Sequence, residues 1–179
     1  MTSATPHGVL VVDKPEGPTS HDIVRDARKL FGTREVGHAG TLDPMATGVL
    51  ILLFGEATKL SSHLTLHDKS YRATVAFGRA TDTLDAEGNV TEERAIMPGE
   101  IILERLERAL AGERVRSGQL PPLFSAVSVE GCRGHRIGRS GESVTLPPRP
   151  VSVQELRLLG SDASSATIEL RISKGYYVR

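Results

Sequence analysis

The sequence has little of what disulfide and cysteine-metal chemistry require. Cys132 is the single cysteine among 179 residues, so neither an internal disulfide nor a cysteine-based metal site can form within the chain. A lone cysteine agrees with a reducing compartment, and we therefore expect a cytoplasmic protein. No metal site of any kind is predicted from the remaining side chains.

Long apolar runs and an excess of one charge are also missing. The apolar start Val9–Val12 is followed at once by Asp13, which is too short for a signal peptide or a membrane span, so no membrane partner is expected. Lysine and arginine number 22, as do aspartate and glutamate, which gives a formal net charge of zero. A nucleic-acid partner would therefore have to be met by a local basic surface.

Several catalytic signatures are absent as well. The chain contains no Gly-x-Ser-x-Gly or Walker motif for acyl or phosphoryl transfer, and no second carboxylate close to Asp43 for a glycosidase-like pair. No internal repeat is evident. A chain of 179 residues forms one domain or slightly more and can bury roughly 70% of its unfolded surface.

Hydrophobic periodicity predicts more strands than helices. One helix is expected from an N-cap at Ser20 to Gly32, and a second through residues 101–110, closed by Gly112. Because no strict strand-helix alternation appears, we predict an α+β fold with a mixed, largely antiparallel sheet and flanking helices. An arginine-, glycine- and proline-rich excursion from the sheet is expected at 131–150. Strands are predicted at 8–12, 49–54, 70–77, 124–129, 151–159 and 167–173.

The most informative stretch is Val36-Gly-His-Ala-Gly-Thr-Leu-Asp43-Pro-Met-Ala-Thr-Gly48, which precedes the apolar strand at 49–54. Asp43 is its single acid. Glycines permit close backbone approaches and Pro44 fixes the dihedral after the acid, so we predict a carboxylate that is held in place. Taken alone, such an aspartate is more often a turn residue that accepts backbone N–H groups than a catalyst.

The stretch resembles the signature loop of the TruB family of tRNA pseudouridine synthases. The resemblance covers almost the whole chain and implies the catalytic fold of that family. Six further matches occur in the family's order: Leu10-Val-Val-Asp-Lys-Pro-Glu-Gly17 with Ser20, Gly55-Glu-Ala-Thr-Lys59, Lys69-Ser-Tyr-Arg72, Gly78-x-x-Thr-Asp-Thr-x-Asp-Ala-x-Gly88, Gln119-x-Pro-Pro-x-x-Ser-Ala126 and Ser173-Lys-Gly-x-Tyr-Val-Arg179.

The resemblance implies isomerisation of uridine 55 in the T-arm loop of tRNA to pseudouridine. In that reaction the C1′–N1 bond breaks, the base turns, and it rejoins the sugar through C5, with no cofactor. The target base must be flipped out, because its reacting atoms are hidden in a stacked loop. The expected partner is therefore the T-arm stem-loop of tRNA, with no obligate protein partner and a monomeric chain.

The resemblance also assigns roles to individual residues. Asp43 matches the essential aspartate, although the sequence leaves open whether it attacks C1′, attacks the base or removes a sugar proton. Arg179 matches the arginine that pairs with this aspartate. Tyr71 matches the tyrosine that stacks on the target base and is a candidate for moving the C5 proton. His38 matches the histidine that supports the opened RNA loop. The matched segments add expected substrate contacts at Lys14, Gly40, Thr41, Lys174 and Tyr177.

Each assignment has a simpler alternative. Arg179, as the last residue, would by default be frayed and solvated, and Tyr71 would be an ordinary sheet aromatic. His38 would be a surface hydrogen-bonding residue, and Lys14 part of a strand-ending turn. Asp82 and Asp85 are interpreted as turn residues. The arginines of the excursion would contact phosphates or form a solvated loop; they are Arg133, Arg136, Arg139 and Arg149.

The chain departs from its family in two respects. Ser128 and Arg133-Gly-His135 stand where the usual pattern has a lysine and Arg-Ala-Tyr. Family members also continue beyond the Tyr-x-Arg segment, so residues 1–179 are expected to be an incomplete catalytic domain, without the C-terminal RNA-binding domain. It would be a fragment, a truncated product or half of a split enzyme. The alternatives are an RNA-binding or tRNA-folding protein of this fold without turnover, and an unrelated metabolic enzyme that uses Asp43 as a base.

Overall fold

The computed structural model describes residues 6–122, 128–129, 132–133 and 147–179 of the chain. Two compact units are distinguished, residues 1–67 and residues 68–179. Within the described ranges, no helix is both long and apolar enough to cross a membrane.

The first unit is a three-stranded antiparallel sheet with one main helix. The sheet has the order β1-β3-β2, so β3 lies in the centre and pairs along its whole length with β1. A 3₁₀ turn and a short helix follow the central strand. The elements are β1 Gly8–Lys14, α1 Ser20–Phe31, β2 Val36–His38, β3 Gly48–Phe54, the 3₁₀ turn Gly55–Leu60 and α2 Ser61–Leu64.

Helix α1 begins one residue before the predicted position. The N-cap is Thr19, whose side chain and that of Asp22 form a reciprocal capping box, so the prediction of Ser20 as N-cap was wrong. Gly32 ends the helix in the left-handed conformation, with φ of 62°, as predicted. The buried face of α1 packs on one face of the sheet, and the shared core consists of Val24, Ala27, Val36, Leu50, Leu52 and Phe54.

The second unit is built around a three-stranded antiparallel sheet of order β11-β12-β4. Three two-stranded antiparallel pairs, β5 with β6, β7 with β10 and β8 with β9, accompany it. The predicted α+β fold is confirmed, and every strand pairing in the described residues is antiparallel. The elements are β4 Lys69–Ala76, β5 Arg79–Thr81, β6 Val90–Glu93, α3 Leu103–Arg114, β7 Gly118–Gln119, β8 Ser128–Val129, β9 Cys132–Arg133, β10 Arg149–Pro150, β11 Val153–Ser161 and β12 Ser165–Ile172.

Helix α3 continues past the glycine that was predicted to close it. Gly112 lies inside the helix, which ends at Arg114. A glycine costs a helix interior only about 1 kcal/mol, and here the last turn is tied to β11 because Arg114 Nε donates to the carbonyl of Leu156 at 3.0 Å. Tertiary contact therefore outweighs the local preference at this position.

The arginine-rich excursion falls largely outside the described residues. Of the strand predicted at 124–129, only the backbone of Ser128–Val129 is described, in a ladder with Cys132–Arg133. Arg136 and Arg139 lie outside the described residues, as does the side chain of Arg133. Arg149 is exposed on β10.

Candidate active site

Asp43 lies in the loop between β2 and β3 of the first unit, and the backbone on its C-terminal side is fixed. The carbonyl of Pro44 accepts hydrogen bonds from the amide of Gly17 at 2.9 Å and from Lys14 Nζ at 3.0 Å. The carbonyl of Asp43 itself accepts the amide of Ala46 at 3.0 Å, which closes a turn. The chain after the carboxylate therefore has a defined path.

Lys14 is completely buried, and its ammonium group is hydrogen-bonded to the backbone of this loop. Besides Pro44, its ammonium group donates to the carbonyls of Pro15 at 2.9 Å and Pro18 at 2.8 Å. Three donors thus meet three backbone acceptors, and the side chain is 0% exposed. This geometry favours a positioning role for Lys14 over the direct substrate contact that the sequence suggested.

The N-terminal side of Asp43 is fastened to helix α1. Ser20, which is 2% exposed, donates its hydroxyl to the carbonyl of Leu42 at 3.1 Å and accepts the amide of Leu42 at 2.9 Å. Both backbone groups of the residue before Asp43 are therefore satisfied by one side chain. The backbone on both sides of Asp43 is therefore bonded to other parts of the first unit, while the placement of the carboxylate itself stays a prediction.

His38, Gly40 and Thr41 belong to the same loop region. The carbonyl of His38 accepts from Ser61 Oγ at 3.3 Å, while its Nδ1 is buried without a hydrogen-bond partner among the described residues. Gly40 has φ of 133°, which an L side chain rarely adopts, and Thr41 is exposed.

Tyr71 lies on β4 in the second unit, paired in register with Leu170 on β12. Its ring packs against the buried cluster of Leu156, Leu170 and Ile172, to which Tyr176 and Val178 also contribute. Tyr71 is half-buried on the apolar face of the sheet, as is Ala73 two positions on, whereas Val75 is 45% exposed. The stacking role of Tyr71 stays a prediction.

The terminal segment 173–179 is hydrogen-bonded to helix α3, to strand β7 and to Ser152, which lies between β10 and β11. Ser173 exchanges two hydrogen bonds with the backbone of Ser152, at 2.8 and 2.9 Å. The hydroxyl of Tyr176 donates to the Glu113 carboxylate on α3. The side chain of Gln119 on β7 holds both backbone groups of Tyr177, at 2.8 and 2.9 Å. Lys174, in contrast, is exposed.

The side chain of Arg179 is consequently held in a defined position, even though it is the last residue of the sequence. Its side chain is 16% exposed, and its Nη1 lies 3.2 Å from Oδ2 of Asp85, whose side chain is 6% exposed. The other carboxylate oxygen of Asp85 accepts from Thr83 Oγ1 at 2.6 Å and from the amide of Glu87 at 3.0 Å. The alternative of a frayed, solvated terminal arginine is therefore wrong for this structure.

Three supporting residues make tertiary contacts that the sequence did not predict. Asp85 was interpreted as a turn residue; it is one, and it also anchors Arg179. Ser20 was interpreted as a cap, and Gln119 was seen only as part of a motif. A signal existed, since Asp85 and Gln119 stand in family-matched segments, but the partner of each side chain depends on tertiary folding.

The predicted residues are distributed between the two units. Lys14, His38, Gly40, Thr41 and Asp43 belong to the first unit, and Tyr71, Lys174, Tyr177 and Arg179 belong to the second. The described residues contain no group of three or more metal-binding side chains.

Comparison with known proteins decides the family. The sequence model described as TruB family pseudouridylate synthase, N-terminal domain, matches residues 28–178, a range that includes the Asp43 loop and all but the last residue of the terminal segment. The chain belongs to the TruB family. Its family membership agrees with the fixed Asp43 loop and with the ordered terminal segment.

Curated relatives extend the match to nearly the whole chain. It is 45% identical to tRNA pseudouridine synthase B of Mycobacteroides abscessus over 96% of this chain and 59% of that protein. It is 44% identical to tRNA pseudouridine synthase B of Caldanaerobacter subterraneus over 96% of this chain and 60% of that protein. This TruB family chain therefore spans about 60% of the length of the curated relatives it matches.

Solved structures show the same fold at lower sequence similarity. A crystal structure of a Cbf5-Nop10-Gar1 complex aligns over 97% of this chain and 41% of the other, with a TM-score of 0.69 and 24% identity. An H/ACA RNP bound to a substrate RNA containing 2′-deoxyuridine aligns with a TM-score of 0.65 and 21% identity, over 97% of this chain and 40% of the other. These likenesses establish the fold of the TruB family chain.

Proposed function

We propose that the chain carries catalytic residues of a tRNA pseudouridine synthase that isomerises uridine 55 in the T-arm loop. Family membership supports the reaction class, and the relatives named tRNA pseudouridine synthase B support tRNA as the substrate. The observation that carries the proposal is the Asp43 loop, which is bonded through Leu42 to Ser20 and through Pro44 to Lys14. A carboxylate on so fixed a backbone is preorganised for chemistry.

The reaction needs few participants. The bond between C1′ and N1 breaks, the base turns, and a new bond forms between C1′ and C5. The proton on C5 is lost and N1 gains one, so no redox change occurs and no cofactor is needed. Asp43 is the essential acid in this proposal, and the route by which it acts stays open between the sugar and the base.

Tyr71 and Arg179 are proposed as the companions of Asp43. The half-buried ring of Tyr71 on an apolar sheet face suits stacking on a base, and its hydroxyl is the candidate for moving the C5 proton. Arg179 is held beside Asp85 in the second unit, and we assign it the role of the arginine that the family resemblance implies.

Contacts with the flipped-out loop of the tRNA are proposed for the remaining residues. His38, Gly40 and the exposed Thr41 lie in or beside the loop that carries Asp43, which supports their proposed contacts with the RNA. Lys174 is exposed and can meet a phosphate, and the ring of Tyr177 lies three residues further along the same segment. Extrusion of the base exposes the edges that these residues would read.

The test is the formation of pseudouridine in an unmodified tRNA transcript. After carbodiimide treatment, primer extension should stop at the T-loop uridine with the unaltered chain and read through with Asp43→Asn. Asp26→Asn is the matched control, because Asp26 is an exposed aspartate on α1 of the same unit, 65% exposed. Circular dichroism should show both variants folded.

The other outcomes separate the alternatives. Tight binding of tRNA without a stop would favour an RNA-binding or tRNA-folding protein without turnover. A stop that persists in Asp43→Asn would remove Asp43 from the chemistry. Absence of binding at low salt would contradict both RNA functions, since phosphate contacts dominate affinity there.

A further inference from the structure

The side chain of Gln119 makes two hydrogen bonds to one residue of the terminal segment. Its Nε2 donates to the carbonyl of Tyr177 at 2.9 Å, and its Oε1 accepts the amide of Tyr177 at 2.8 Å. A primary amide offers both a donor and an acceptor in one plane, which matches the carbonyl and the amide of one backbone residue. The side chain thus acts like a neighbouring strand, although the partner is 58 residues away along the chain.

Gln119 is itself fixed by secondary structure. It lies on β7, where it pairs in register with Arg149 of β10, and the next ladder position pairs Gly118 with Pro150. Its backbone is therefore anchored independently of the terminal segment. The side-chain amide of Gln119 therefore fixes Tyr177 relative to the β7–β10 ladder.

The position of Tyr177 constrains Arg179, which follows two residues later. Two residues span at most about 7 Å, so fixing Tyr177 confines the backbone of Arg179 to a small volume. The segment before it contains Gly175, whose φ of 81° provides a sharp turn with little intrinsic stiffness. Contacts beyond this turn therefore decide where the guanidinium lies relative to Asp85.

We propose that Gln119 is a positioning residue that acts through Tyr177 to hold Arg179 in its buried, paired geometry. This inference rests on the proposed synthase function of the same site. Gln119 bonds to the backbone of Tyr177 in this arrangement, so it takes no part in bond making or breaking. Misplacement of a catalytic group by about 1 Å costs on the order of 100-fold in rate, so loss of this clamp should be measurable in kcat.

The first experiment compares Gln119→Met with Gln119→Glu in the full chain. The methionine has nearly the same volume but neither donor nor acceptor, and we expect kcat for pseudouridine formation to fall roughly 10- to 100-fold, a larger factor than any rise in KM. Gln154→Met is the matched control, because Gln154 is the only other glutamine and is exposed on β11. Equal kcat values for Gln119→Met, Gln154→Met and the unaltered chain would overturn the proposal.

The pH dependence of Gln119→Glu provides a test within one folded protein. An ionised glutamate can accept the amide of Tyr177 but opposes its carbonyl, whereas the protonated acid restores a donor. We expect kcat relative to the unaltered chain to rise as the pH is lowered from about 7.5 to about 5.5, since facing a carbonyl raises a carboxyl pKa. The register partner of Gln119 is Arg149, whose constant charge favours the ionised carboxylate, but its side chain is exposed and solvent screens this effect. A flat ratio would contradict the proposal.

Hydrogen exchange distinguishes failure of this inference from failure of the proposed function. The Tyr177 amide should exchange slowly in the unaltered chain and at least about tenfold faster in Gln119→Met, whether or not the chain makes product. Absence of product from the unaltered chain would contradict the synthase function alone. Fast exchange of Tyr177 in the unaltered chain would contradict the clamp itself.

Discussion

Two buried cations show how single residues organise this protein. Lys14 is 0% exposed and surrounded by three backbone carbonyls, while Arg179 is largely buried beside Asp85. Burial of a charge is costly unless it is paired and hydrogen-bonded, so each cation requires the groups around it. Removing the contacts of either residue should therefore destabilise the segment that it holds.

Substitution Lys14→Met should destabilise the chain and leave RNA binding by the folded protein nearly unchanged. Three carbonyls would lose their donor inside the protein, which we expect to lower the free energy of unfolding by about 2 kcal/mol or more. Urea unfolding measures this, with Lys29→Met, an exposed lysine on α1, as the control. If Lys14 contacted a phosphate instead, the salt dependence of RNA binding would lose about one unit of slope.

Substitution Asp85→Asn should weaken the hold on Arg179. The amide keeps an oxygen for Thr83 and the amide of Glu87 but faces the guanidinium without a negative charge. We expect the free energy of unfolding to fall by about 1–3 kcal/mol and pseudouridine formation to fall at least about tenfold.

The control for this prediction is Glu87→Gln, which alters an exposed carboxylate of the same loop. Its unfolding free energy and product yield should match those of the unaltered chain. Equal losses in the two variants would show that general loop charge, and not the pair with Arg179, is responsible.

Helix α3 illustrates how an element secures the terminal segment. Glu113 in its last turn binds Arg116 and accepts the hydroxyl of Tyr176. The Arg116 guanidinium, together with the Tyr176 hydroxyl, holds the pKa of the Glu113 carboxyl below its ordinary value of 4.5, although partial burial acts in the opposite direction. Burial, and then the bond to Glu113, raises the pKa of Tyr176.

The lowered pKa of Glu113 predicts the direction of an acid effect. The unfolded chain binds a proton at this residue near pH 4.5, whereas the folded chain does so only at lower pH, so the stabilisation is present above 4.5 and is lost as the pH falls through the folded value. Urea unfolding at pH values of about 7 and about 4 should show a smaller acid loss for Glu113→Gln than for the unaltered chain. Glu104→Gln, at the exposed start of α3, should behave like the unaltered chain.

At the scale of the whole molecule, the chain combines zero net charge with a proposed polyanionic substrate. Its 22 basic and 22 acidic side chains cancel, so long-range attraction to RNA cannot come from net charge. Many charges are already paired within the described residues, for example Arg79 with Glu93 and Arg157 with Glu169. Binding must then depend on a few local phosphate contacts.

Affinity for a T-arm stem-loop should therefore fall linearly with salt on logarithmic axes, but with a modest slope. Each neutralised phosphate contributes about 0.7–0.9 to the slope, so about three or four contacts would give a slope of roughly 2–4. Fluorescence anisotropy between about 50 and about 200 mM NaCl measures it. An affinity independent of salt would contradict phosphate-mediated binding, and the same titration with Lys174→Met should lower the slope by about one.

Much of the fold and part of the candidate site could be predicted from local pattern. The strands β1, β3, β4, β11 and β12, the helix that ends at Gly32 and the held Asp43 loop all follow from alternation, capping and turn residues, which act over a few positions. The sequence did not predict that α3 continues through Gly112 or that Thr19 caps α1. More than one local conformation is acceptable at each position, and contacts with neighbouring residues decide between them.

Sequence by itself determined the family, the order of elements and the position of the acid, since these are written in contiguous residues. Only the tertiary structure decided what holds the key side chains. Lys14 meets Pro44 across 30 residues, Gln119 meets Tyr177 across 58, and Arg179 meets Asp85 across 94. Such partners are chosen when folding brings distant backbone together, because a buried polar group must be satisfied by whatever the fold places beside it.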